Sequence, residues 1–336
     1  MNGPRMKLLV VLVVLAGTLC FAQVPKPPWA SGGSGTSKPA PKSTPPSTDG
    51  SAEDSATTIH VNVKLVNVFV TVTDKNGAPV GGLQKDNFQL LEDGTLQKIA
   101  VFDRESALPL SIAMDIDTSL STRRDLPLEL ASARRFVHAI LRPVDALSLY
   151  QFSEVVDEVT PFTSNLKTID RAIDRIRLGS ATAMYDALWL SAQALSRRQG
   201  RKVLVVITDG GDTVSRTSYQ DALREAQEAE ALVYSIIIVP IEASAGRDTG
   251  GEHALIQLSE DTGGRYFYAT SGPQLDDAFR QISDELRTQY LLAYYPSRRY
   301  SGSDFRRIEV GVQGIQNASD LLVRNRTGYY TVKSDF

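Results

Sequence analysis

Val203-Leu-Val-Val-Ile-Thr208-Asp209-Gly-Gly-Asp212 decides the fold. An unbroken apolar run without polar alternation marks a strand buried on both faces, as in parallel sheets covered by helices. Ile236-Ile-Ile-Val239 repeats the pattern downstream, and the upstream run Leu110–Asp117 ends in Asp115-Ile-Asp117. Amphipathic helices are expected over Leu126–Leu141, Leu166–Ile176, Ala183–Ser196, Tyr219–Ala231, His253–Thr262 and Gln274–Leu286. Strands and helices alternating in this way predict an α/β unit with a doubly wound, mostly parallel sheet. Val144 to Phe162 carries two strands with only Ser153-Glu154 between them, so one antiparallel edge strand is expected.

Outside this block the pattern turns to β. Ile59, Val61, Val63 and Leu65 share one face, then Val66, Val68, Val70 and Val72 take over. Such a slip indicates a bulge or a strand passing between two sheets. Asn76-Gly77 and Asp93-Gly94 are turn signals, the second inside a hairpin of Phe88–Leu91 with Gln97–Phe102. After the helices, Tyr290–Tyr295, Arg307–Val312 and Leu321–Thr331 are strand-like. The α/β unit, residues 108–287, is therefore expected to be inserted into a small β-sandwich built from N- and C-terminal strands, residues 58–107 and 288–336.

The N-terminus reads differently. Arg5 and Lys7 precede the apolar run Leu8–Ala16, and small residues lead to Ala22, so residues 1–22 read as a secretory signal. Leu19 is too bulky for lipoprotein cleavage before Cys20. Cleavage after Ala22 removes the sole cysteine, and loss of Arg5 and Lys7 takes the net charge from −3 to −5. Residues 23–57, rich in Pro, Ser and Gly, bury too little apolar surface to offset chain entropy and read as a disordered tether. The expected location is secreted or periplasmic at the cell envelope, with membrane attachment only through an uncleaved signal.

Composition narrows the chemistry. At 336 residues and 42% apolar, the chain can build about two domains. Basic residues number 36 against 39 acidic, which leaves no electrostatic footprint for nucleic acid. The three histidines, His60, His138 and His253, are far apart and there is one cysteine. Zinc, iron–sulfur and disulfide chemistry are thereby excluded, and no small-molecule cofactor is indicated. Any metal must be held by oxygen.

Ligands of doubly wound sheets bind beyond the strands' carboxyl ends. Three polar segments fall there: Asp115-Ile-Asp117-Thr-Ser119-Leu-Ser121, Gly179-Ser-Ala-Thr182-Ala-Met-Tyr-Asp186, and Thr208-Asp209-Gly-Gly-Asp212. Carboxylates and hydroxyls in such a set suit Mg²⁺, Mn²⁺ or Ca²⁺. With hydroxyls counted as neutral, Asp117 and Asp209 are the only charged ligands, so a bound ion keeps affinity for an anionic oxygen from a partner.

The D-x-S-x-S run at Asp117, Ser119 and Ser121, the Thr182 loop and the T-D-G turn at Asp209 resemble the metal-ion-dependent adhesion site of von Willebrand factor type A domains. The layout is most similar to the secreted von Willebrand A-related proteins typical of acidobacteria. This resemblance implies Asp117, Ser119, Ser121, Thr182 and Asp209 as metal ligands in a non-catalytic adhesion protein. Its partner would be a protein or cell-envelope ligand offering a carboxylate. Asp115, Asp186 and Asp212 are candidates to support the ligands from behind. Two positions depart from the pattern: Leu120 stands where glycine is frequent, and Asp115 where an apolar residue is usual.

Two other functions fit parts of the chain. Asp115-x-Asp117 also resembles the first motif of haloacid-dehalogenase-type phosphatases, with Asp115 as nucleophile and Mg²⁺ near Asp209 and Asp212. Against it, Ser119 replaces the usual Thr or Val, and Lys202 opens its strand at the wrong end. A metal-free structural interaction module is the third reading. His138 within its helix reads as a packed or surface residue, the scattered arginine pairs Arg134-Arg135 and Arg306-Arg307 as solvated faces, and Tyr290, Tyr294 and Tyr295 as filling the sandwich or its contact with the α/β unit.

Overall fold

The computed structural model describes residues 65–104, 108–239, 249–298 and 305–331. The segments read as signal and tether, and the first half of the slipped strand, lie outside the described residues. Among the described residues no helix is long and apolar enough to cross a membrane.

The α/β unit is built as the apolar runs require. Its strands are β5 (Leu110–Asp117), β6 (Ala146–Phe152), β7 (Val156–Thr163), β8 (Arg201–Thr208), β9 (Ala231–Ile238) and β10 (Arg265–Ala269). They form a six-stranded sheet in the order β10-β9-β8-β5-β6-β7. Every pairing is parallel except β6 with the edge strand β7, as expected from the short connection, which is three residues long. Among the described residues six helices cover the sheet: α1 (Leu126–Ile140), α2 (Leu166–Ile173), α3 (Met184–Ser196), α4 (Tyr219–Glu228), α5 (Thr249–Thr262) and α6 (Gly272–Thr288).

Side-chain alternation divides the core in two. Ile112, Met114, Ile116, Val203, Val205 and Ile207 pack with α1, α2 and α6 on one face. Ala113, Leu204, Val206 and Val233 pack with α3, α4 and α5 on the other. The chain leaves β5 for β6 on one side and returns to place β8 on the other. The strand order therefore reverses between β5 and β8, where open α/β sheets bind ligands.

The β-sandwich draws on both ends of the chain. Before the α/β unit lie β1 (Val66–Thr73), β2 (Phe88–Glu92), β3 (Thr95–Leu96) and β4 (Ile99–Arg104). After it lie β11 (Tyr290–Tyr294), β12 (Phe305–Val312), β13 (Leu322–Arg324) and β14 (Gly328–Tyr330). One sheet has the order β13-β1-β11-β4, the other β14-β12-β2-β3. Strands β1 and β4 do not pair with each other, because β11 lies between them and bonds to both. Val68, Val70, Phe88, Leu90, Tyr290, Leu292 and Ile308 fill the core between the sheets.

Four sequence readings change here. The hairpin at Asp93-Gly94 is only β2 with the two-residue β3, while β4 pairs with β11 in the other sheet. Leu321–Thr331 is two short strands: β13 pairs with β1 in one sheet and β14 with β12 in the other, so the chain crosses between sheets at Asn325–Thr327. Tyr295 is exposed, whereas Tyr290 and Tyr294 are buried. Arg306 is nearly buried and ion-pairs with Asp93 at 2.9 Å, whereas Arg135 and Arg307 are exposed.

The two layers meet at polar contacts. Glu285, near the end of α6, takes Arg265 of β10 at 2.9 Å and Arg324 of β13 at 2.7 Å. Gly263, at φ +82°, lies so close to the Asn325–Arg326 backbone that a Cβ would overlap it.

Within the sandwich, Glu92 is buried and accepts hydrogen bonds from Tyr294 Oη at 2.6 Å and Tyr329 Oη at 3.0 Å. Tyr294→Phe removes the shorter bond without changing shape. It is expected to cost about 1–3 kcal/mol in urea unfolding, and an unchanged midpoint and slope would show that Glu92 needs only Tyr329.

Candidate functional site

The carboxyl end of β5 is the starting point. Asp117 is inaccessible to solvent, so its oxygens must find protein donors. Oδ1 accepts from the Ser119 N–H at 2.8 Å and Oδ2 from Thr208 Oγ1 at 2.6 Å. Burial pushes the Asp117 carboxyl up to about 6, the Thr208 and Ser119 bonds oppose that rise, and the negative charge of Asp209 adds to it. Ser119 Oγ and Ser121 Oγ lie 2.9 Å apart, with Ser119 buried and Ser121 exposed. Thr122 closes this loop by donating to the carbonyls of Asp117 and Ser119.

Asp209 follows β8, the neighbour of β5, and is half-buried. Thr182 is buried in the loop before α3. Its N–H donates to Thr213 Oγ1 at 2.9 Å, and its carbonyl accepts from the Thr213 N–H at 2.8 Å. That loop is also stitched to the first: the Gly179 N–H donates to Thr118 O at 2.8 Å. The turn after β6 joins both, since Thr118 N–H donates to Phe152 O and Ala183 N–H to Ser153 O. Glu154 on this turn accepts from the Ser180 N–H and Oγ, which lowers its carboxyl to about 2. The segments bearing all five candidate ligands thus form one hydrogen-bonded platform at the switch in strand order.

The three supporting carboxylates divide by role. Asp212 Oδ1 accepts from the Met184 N–H at 2.8 Å and from Ser215 Oγ at 2.5 Å, satisfying free donors at the start of α3. Asp186 accepts from the backbone N–H groups of Arg216 and Thr217 and so fixes the loop after β8. Asp115 is fully buried against α3, where its Oδ2 accepts from Ser191 Oγ at 2.8 Å and its Oδ1 has no hydrogen-bond partner. A nucleophile closed off from solvent cannot reach a phosphate ester, which removes the use the phosphatase reading makes of Asp115. His138 pairs with Asp170 at 3.0 Å on the exposed side of α1.

Sequence reading passed over two residues here and left Thr208, the first residue of the T-D-G turn, without a role. Thr208 and Thr122 hold the Asp117 loop, and the only sequence signal of Thr122 is a hydroxyl beside its motif. Glu129 is the other. It lies in the first turn of α1, is 1% exposed, and neither carboxyl oxygen has a hydrogen-bond partner. Burial and the negative charges of Asp117, Asp125 and Asp209 raise its carboxyl well above the usual range.

Among the described residues no three His, Cys, Asp or Glu side chains are grouped to hold a metal ion. An ion at this platform would rest on two carboxylates, with hydroxyls and water completing its shell. That donor set, all oxygen, suits a hard divalent cation.

Residues 112–211 match the family model described as the von Willebrand factor type A domain. No curated protein matches the chain. Solved structures similar in fold include the PilB minor pilin from Streptococcus sanguinis, at 14% identity and TM-score 0.43, covering 54% of this chain and 62% of that one. The match thus spans less than two thirds of the pilin's length. The von Willebrand factor domain of the type V pili tip protein Mfa5 from Porphyromonas gingivalis aligns at 14% identity and TM-score 0.43, over 53% and 95% of the two chains. A von Willebrand factor type A protein from Catenulispora acidiphila aligns at 10% identity and TM-score 0.46, over 80% and 74%.

Asp115→Asn keeps the Ser191 bond and removes the cost of a buried acid. It is expected to stabilise the protein by about 1–3 kcal/mol at pH 7. Burial lifts the folded-state carboxyl from 3.8 to about 8, so wild-type stability falls as pH rises between those values. The advantage of Asn should therefore grow from pH 5 to pH 8; melting curves showing a constant or shrinking difference would contradict this account.

Proposed function

We propose that this protein, whose residues 112–211 match the von Willebrand factor type A domain model, is an exported, non-catalytic adhesion protein that binds its partner through a divalent cation. Asp117, Ser119, Ser121, Thr182 and Asp209 would hold Mg²⁺, Mn²⁺ or Ca²⁺. When bound, the ion supplies a Lewis-acidic point that takes a carboxylate oxygen of the partner. The observation that carries this reading is the cluster around Asp117. A buried carboxylate with paired serine hydroxyls beside it stands at the strand end where the sheet order reverses.

The surroundings favour a protein partner at the cell surface or envelope. Leu120, Val155, Leu178 and Val214 are exposed apolar side chains on the loops of this platform, between 41% and 59% accessible. Exposed apolar groups rimming a polar centre mark protein contacts. A glycan would leave them wet, whereas an Asp or Glu flanked by apolar residues would cover them. Leu120, which replaces a glycine of the pattern, points its side chain to solvent at 51% exposure and so adds to this rim.

Isothermal titration with Mg²⁺ and Mn²⁺ tests the reading. Wild type is expected to bind one ion, Asp117→Ala and Asp209→Ala to lose it, and Ser119→Ala or Thr182→Ala to weaken it about tenfold, roughly 1.4 kcal/mol, with the fold intact by circular dichroism. Wild type binding neither ion at millimolar concentration, or Asp117→Ala binding like wild type, would overturn it.

A further inference from the structure

Glu129 occupies a position that helix packing assigns to an apolar residue. On α1 the buried stripe runs Leu126, Glu129, Ser132, Ala133, Phe136, Val137 and Ile140, at the spacing of a face turned to the sheet, and the other polar member, Ser132, accepts a hydrogen bond from Arg135. The stripe's five apolar side chains pack in the core with Met114, Ile116 and Ile207. Among the described residues Glu129 is the one carboxyl group with both oxygens buried and without a hydrogen-bond partner. A buried carboxyl without partners is costly, and a leucine would pack here without that cost.

The location of Glu129 suggests what offsets it. The first turn of α1 is attached to the Asp117 loop, because Thr122 Oγ1 bonds the carbonyls of Asp117 and Ser119 while its own carbonyl accepts from Asp125 and Leu126. The charged groups that act on Glu129 are Asp117, Asp125 and Asp209, all acidic. No basic side chain is among them. A bound cation would offset the combined charge of this cluster. Since no three acidic side chains are grouped to share an ion directly among the described residues, Glu129 would reach it through a water.

We propose that Glu129 is a positioning residue of the metal centre, accepting a hydrogen bond from water on an ion held by Asp117 and Asp209. This rests on the reading of the site as a metal centre. It adds a third carboxylate, outside the D-x-S-x-S, Thr and Asp set, that orients the hydration shell. Mg²⁺ suits such an arrangement because it keeps several of its waters when bound by protein.

The test uses the whole protein with Mg²⁺ alone as probe, reading affinity by isothermal titration and melting temperature with and without the ion. Glu129→Gln is expected to weaken Mg²⁺ binding about 10–100-fold, the usual effect of removing a group that orients a metal's ligands. The metal-free variant is expected to melt no lower than wild type, because a costly buried acid is gone. Glu129→Met, apolar and of similar length, should show the same loss of affinity with a higher metal-free melting point. A packing role would give the opposite pair of results: unchanged affinity and lower melting of both variants. Wild-type Mg²⁺ affinity in Glu129→Gln, with Asp117→Ala unable to bind, overturns the role of Glu129 alone. Normal binding by Asp117→Ala overturns the metal centre and this inference together.

Discussion

Everything at the functional end depends on keeping one carboxylate out of water. Asp117 ends a strand that is buried along its whole length, and its two oxygens take one donor from the following loop and one from the neighbouring strand. Those bonds align β5 with β8 side by side at their carboxyl ends and draw Ser119 against Ser121. Because the acid is desolvated, each bond counts for more than it would at the surface. The three surrounding loops carry few apolar anchors of their own, and backbone bonds through Thr118, Ser153, Gly179 and Thr182 hold them around it.

The scaffold beneath is an α/β unit threaded through a β-sandwich. Strand β11 begins two residues after the end of α6 and fills the gap between β1 and β4, so the sandwich cannot close until the chain has returned from the intervening unit. Glu285 pairs with arginines from both layers, and Gly263 lets the two backbones touch. Both devices hold α6 and β10 against the sandwich, on the side of the sheet away from the edge strand β7.

The rim and the interior of that platform are of opposite character. Inside are acids and hydroxyls; outside stand Leu120, Val155, Leu178 and Val214. An apolar rim excludes water from whatever docks there and strengthens electrostatic contacts at the centre. Asp212 and Asp186, which look like site residues by proximity in sequence, spend their oxygens on backbone N–H groups and keep the rim loops in place.

Much of this architecture was legible from the chain itself. Continuous apolar runs such as Val203–Ile207 announce double-sided burial, the short Ser153-Glu154 connection announces an antiparallel edge, and β segments on both flanks announce a shared sandwich. These are local patterns set by the periods of strand and helix. Tertiary structure alone decided the rest. The end of the chain divides into β13 and β14 because their partners lie in different sheets. Arg306 is drawn inward because Asp93 waits there, and Thr208 reaches Asp117 only because β8 lies beside β5. Glu129 carries no signal in the sequence, since a glutamate in a helix is ordinarily solvated. It becomes significant only once the helix packs with that face inward, because the meaning of a charge depends on what surrounds it, and that is decided by residues far away along the chain.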